Sequence, residues 1–176
     1  MALRIFDFTP EELVNVIDGK INKKLVKSIL TAFVDNGLTY TVREAWKPKN
    51  VTVTYYRIFF YIKKSKVALI VNTGTFEGEG LYVQLRIKDW SSFDTLDQYS
   101  ENVRNSILNA TDCRAPYCSN DGSEYVFYYQ GKEYRKCHML GASFNIRNIK
   151  EEDIGSIMQI IQKKIAYGMS RRKSSV

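Results

Sequence analysis

The sequence predicts an α+β fold: a single mainly antiparallel sheet, built from a four-strand meander plus a C-terminal hairpin, with three helices packed largely on one face. Three observations carry this expectation. Apolar residues recur at helical spacing near the start, in the middle and at the end of the chain. Between the first two of these stretches lie runs rich in β-branched and aromatic residues, which suit pleated, half-buried strands. The connections between those runs are short, and short connections join antiparallel neighbours.

The first helix is announced by Thr9 as a cap, Pro10 at the first helical position and Glu12 closing a capping box. Leu13, Val14, Ile17, Ile21, Leu25, Ile29 and Phe33 continue at helical spacing, with Gly19 as a point of division and Asn36-Gly37 as the stop. Strands are expected over Tyr40–Trp46, Val51–Ile62, Val67–Asn72 and Leu81–Lys88. The last alternates cleanly, with Leu81, Val83, Leu85 and Ile87 on one side and Tyr82, Gln84, Arg86 and Lys88 on the other. Such alternation marks one buried and one wet face. A second helix begins near Ser92, with Leu96, Tyr99, Val103 and Ile107 as its inner stripe. After a helix-free stretch from Ala110 to Ser123, a hairpin runs Tyr125–Tyr129, turns at Gln130-Gly131, and returns along Lys132–His138. A short strand over Ser143–Arg147 precedes the last helix. That helix has Asn148 and Glu151 as a capping pair, and Ile154, Ile157, Met158, Ile161 and Ile165 as its apolar face.

Composition bounds the function. The chain has 176 residues, of which 44% are apolar and 26% charged, enough for one domain with a sizeable core. One domain is expected over residues 1–168, followed by a basic flexible tail at 169–176 that holds the densest basic run, Arg171, Arg172 and Lys173. The net charge of +7 favours acidic partners. No secretory signal and no run of about 20 apolar residues is present, so a membrane partner is not expected and a cytoplasmic location is. Three cysteines are an odd count without the density of a secreted disulfide scaffold.

Two constellations bear chemistry. The first is Cys113-x4-Cys118-x2-Asp121, followed after the hairpin by Cys137-His138. Thiolates and imidazole at short spacing suit zinc, and a knuckle ahead of a hairpin that returns further ligands resembles half of a zinc ribbon. Asp121 stands where a second knuckle cysteine belongs, and the adjacent Cys137 and His138 point to opposite faces of a strand. The competing reading is that these cysteines are small hydrophobes in a core or at an edge.

The second constellation is the wet face of the sheet. Tyr55, Arg57, Phe59 and Tyr61 share one side of the longest strand, opposite Tyr56, Ile58, Phe60 and Ile62. Tyr82 and Arg86 join them from the alternating strand. Helices on one side only leave this aromatic and basic surface to a small ligand, a protein partner or nucleic-acid bases. The plainer alternatives are that the hairpin covers it or that a second copy of the chain does, as a homodimer. With His138 as the sole histidine, histidine-dependent catalysis has little to draw on. The glycine segment Gly74–Gly80 lacks the Gly-Lys-Ser/Thr ending of a phosphate loop. The sequence therefore points to a non-enzymatic binding domain that takes a small ligand or protein on its aromatic sheet face. The alternative is a nucleic-acid-binding protein with a zinc-stiffened or degenerate zinc-ribbon-like hairpin.

Overall fold

The computed structural model describes residues 4–45, 54–63, 66–73, 80–86, 93–110, 112, 125–136 and 143–173. In chain order it places β1 (Ile5–Phe6), α1 (Pro10–Asn15), α2 (Lys20–Val34), β2 (Thr39–Glu44), β3 (Tyr56–Lys63), β4 (Lys66–Asn72) and β5 (Tyr82–Arg86). A 3-10 helix (Phe93–Gln98), α3 (Glu101–Leu108), β6 (Tyr125–Tyr129), β7 (Lys132–Lys136), β8 (Ser143–Ile146) and α4 (Glu151–Lys173) follow.

The architecture is α+β, with one antiparallel sheet of six strands in the order β1-β2-β3-β4-β5-β8. The expected meander forms its centre. The hairpin β6-β7 stands apart as a separate two-stranded sheet, which corrects the expectation of one sheet containing both. Its side chains explain why. Lys136, at the end of β7, donates from Nζ to the Leu108 and Ala110 carbonyls at the end of α3 (2.7 and 2.9 Å) and to Asp112 Oδ1 (2.5 Å). An ammonium at a helix C-terminus satisfies carbonyls that have no partner within the helix. Tyr129 in β6 donates to Asp97 Oδ1 of the 3-10 helix (2.5 Å), and this bond raises the tyrosine pKa. The hairpin is thus drawn to the helices instead of the sheet edge.

The helices form as their caps and stripes dictate. Thr9 caps α1, with Glu12 reaching back to the Thr9 amide at 2.8 Å. Gly19, at φ +82°, separates α1 from α2, a conformation that costs glycine little. The start of α4 differs from the expected Asn148–Glu151 pair. Asn148 sits in the left-handed region at φ +50°, and Asp153 instead accepts from the Lys150 amide at 2.9 Å. The helix also continues beyond Gly168 to Lys173, with Met169 packed against the core.

The core lies between the helices and one face of the sheet. Its sheet side consists of two cross-strand rows fixed by the register: Val42, Ile58, Val71, Val83 and Ile146, and Tyr40, Phe60, Leu69, Leu85 and Phe144. Leu13, Leu25, Ile29, Phe33, Val103, Ile107, Ile157 and Ile161 close on them from the four helices. A buried polar knot joins α3 to α4. Asp153 accepts from Ser100 Oγ (2.6 Å), from Asn102 Nδ2 (2.8 Å) and from the Lys150 amide (2.9 Å). Ser156 Oγ accepts from the Ser100 amide at 2.8 Å. None of the described helices is long and apolar enough to cross a membrane.

Candidate sheet-face binding site

Because side chains alternate along a strand, the two core rows leave a complementary pair on the opposite face of the sheet. One row reads Arg43, Arg57, Asn72 and Tyr82 across β2, β3, β4 and β5, and Arg147 follows the last core pair on β8. The next reads Thr41, Phe59, Ile70, Gln84 and Asn145. Thr39 and Tyr61 begin a third. The α4–β3 contact also lies on the core side: a Cβ added at Gly168 would overlap the side chain of Ile62.

The structure therefore brings Arg57, Phe59, Tyr61 and Tyr82 onto one face, as the alternation predicts. Tyr55 lies just before β3, where its carbonyl accepts from the Ala45 amide at 2.8 Å. Arg86 holds its register opposite Ser143 of β8. Cys113, Cys118, Asp121, Cys137 and His138 lie outside the described residues, and so does the zinc assignment that rests on them. The described residues contain no group of three or more metal-ligating side chains.

Two further side chains of this face, both arginines, were not singled out from the sequence. The Arg43 guanidinium lies over the Phe59 ring, 5.0 Å from its centroid, and that of Arg147 lies over the Tyr82 ring at 4.8 Å. Arg57 donates from Nε to Asn72 Oδ1 at 2.8 Å. Alternation in β2, with Tyr40 and Val42 turned inward, was the signal available for Arg43. Arg147 had none, since its place beside Tyr82 depends on β8 pairing with β5 across the intervening helix and hairpin.

The centre of this face is closed, with Ile70 only 4% and Asn72 2% exposed. Phe59, Tyr61 and Tyr82 are half-buried, so the described residues of this face present no broad apolar patch. What the face offers is charge. Arg43 and Arg57 are direct cross-strand partners, an arrangement in which like charges repel and which is destabilising on its own. No acidic residue occupies a described strand position on this face. The Arg43 guanidinium is oriented by the Phe59 ring and that of Arg57 by the Asn72 amide, neither of which carries a charge.

No known protein family, curated protein or solved structure matches the chain.

Proposed function

We propose that the chain is a non-enzymatic binding domain that holds single-stranded nucleic acid along the exposed arginines of the sheet face opposite the core. The observation that carries this reading is the exposed cross-strand pair Arg43 and Arg57, with the Arg43 guanidinium seated on the Phe59 ring, Tyr82 further along the same row, and no acid among the described strand positions beside them. Phosphates supply the charge that this row lacks, and bases stack on aromatic and guanidinium planes alike. An apolar ligand would find little surface, because the rings are half-buried.

The dimensions agree. From β2 to β8 the row crosses four strand spacings, about 19 Å at about 4.8 Å each. That is the length of about six stacked nucleotides at about 3.4 Å each.

The test is fluorescence anisotropy with labelled single-stranded DNA and RNA 12-mers. Arg57→Ala and Tyr82→Ala should each weaken binding about tenfold, since losing a base-stacking group costs about 1–3 kcal/mol and about 1.4 kcal/mol is tenfold. The melting temperature of Tyr82→Ala should stay close to wild type, whereas Arg57→Ala also unpairs the buried Asn72 amide and should melt somewhat lower. Absence of binding at low salt, or unchanged affinity in both variants, would overturn the proposal.

A further inference from the structure

At the free edge of the sheet, α3 and β8 enclose an open cleft of about 380 Å³. Asn105 lines it from α3 and Asn109 from the cap of that helix, Asn145 and Asn148 from β8 and the residues after it, and Arg147 sits among them. Phe144 and Ala110 contribute its apolar surface. No carboxylate is part of the lining. We infer that this cleft is a base-reading subsite at the end of the arginine row, and that it selects adenine. The inference rests on the nucleic-acid reading of the sheet face.

Two residues make cleft and face one surface. Asn145 lies in the row of Phe59, Ile70 and Gln84 on the face opposite the core, and it also lines the cleft. Arg147 lines the cleft while its guanidinium covers the Tyr82 ring at 4.8 Å. A strand that crosses the row therefore reaches the cleft without leaving the protein.

The wall of the cleft is held before any ligand arrives. Asn102, on its α3 side, donates from Nδ2 to the Arg147 carbonyl (3.0 Å) and to Asp153 Oδ2 (2.8 Å), and Asp153 is only 1% exposed. The other four amides differ. Among the described residues, the side chains of Asn105, Asn109, Asn145 and Asn148 make no hydrogen bond, and all four residues are exposed. Four uncommitted amides around one small cleft are an array of adjacent donors and acceptors. An amide presents one donor beside one acceptor, which matches the N6–H and N7 of adenine in a bidentate pair. Single-stranded segments expose such edges because their bases are splayed out of the stack.

The experiment compares A, C and T single-stranded DNA 12-mers by anisotropy, with wild type and with the double variant Asn105→Ala/Asn109→Ala, which touches the cleft and not the sheet face. Both positions are exposed, so the fold is retained, and a matching melting temperature confirms this. Wild type should favour the A 12-mer about tenfold, as one bidentate amide–adenine pair provides. The double variant should lose that preference and bind the C 12-mer as wild type does. If the oligonucleotides bind but wild type shows no preference for A, or the variant keeps it, the cleft inference falls and the face reading stands. If no oligonucleotide binds at all, both fall together.

Discussion

Asp153→Ala is the perturbation with the widest consequences. The carboxylate is 1% exposed and accepts three hydrogen bonds: from Ser100 Oγ at 2.6 Å, Asn102 Nδ2 at 2.8 Å and the Lys150 amide at 2.9 Å. A hydrogen bond to a charged group contributes about 1.5–3 kcal/mol. The three do not add in full, because Lys150 is exposed and Ser100 and Asn102 are half-buried, so water recovers part of what is lost. The expected net cost is about 3 kcal/mol. For a chain of this length each kcal/mol lowers the melting temperature by about 2–4 °C, so Asp153→Ala should melt about 6–12 °C below wild type. Asp153→Asn keeps an acceptor and should lie between them. Thermal unfolding followed by circular dichroism reads this directly. Because Asn102 also holds the Arg147 carbonyl, the same variant should blunt any preference for adenine. A melting temperature within 2 °C of wild type would refute the argument that this knot joins α3 to α4.

Further outcomes follow from the packing and the caps. Val83 is fully buried between Val71 and Ile146, and Val83→Ala deletes two carbon atoms there, at a cost of about 2–3 kcal/mol. Tyr82→Ala on the other face should cost less than half of that by chemical denaturation, and equal costs would mean that the face is covered. Gly168→Ala sets a gain of about 1 kcal/mol in helix propensity against overlap with the buried, β-branched Ile62. Overpacking costs about 1–3 kcal/mol, so the variant should melt below wild type, and a higher melting point would refute the close approach of α4 to β3. The Glu12 carboxyl accepts from the Thr9 amide, which holds its pKa below the usual carboxylate range. A depressed pKa contributes stability that is complete above the unfolded value of about 4.3 and is lost as pH falls through the folded value. The melting-temperature gap between wild type and Glu12→Gln should therefore narrow from pH 6 to pH 3, and a constant gap would contradict the capping role.

The sequence made legible what depends on local chemistry. The Thr9–Glu12 box, the break at Gly19 and the alternation along β5 follow from neighbours within a few residues, and the structure shows each of them. The central strands were readable for the same reason, because Ile58, Phe60, Val83 and Leu85 mark a buried face by period alone. What lay hidden depends on partners distant in the chain. The hairpin's separation from the sheet rests on Lys136 reaching the end of α3 and Tyr129 reaching Asp97. The short strand β1 forms only because β2 offers it an edge. The start of α4 is set by Asp153, whose other partners, Ser100 and Asn102, lie on a different helix. The candidate site divides the same way. Arg57, Phe59, Tyr61 and Tyr82 share a face by alternation, whereas Arg147 and the amide cleft arise from β8 meeting both β5 and α3.

The salt dependence of single-strand binding tests the central claim most directly. Each phosphate neutralised on a single strand contributes about −0.7 to the slope of log K against log salt. Arg43 and Arg57 together predict a slope of about −1.4, and Arg43→Ala/Arg57→Ala predicts a slope shallower by about 1.4. A slope near zero in wild type, or an unchanged slope in the double variant, would contradict the assignment of this face to nucleic acid.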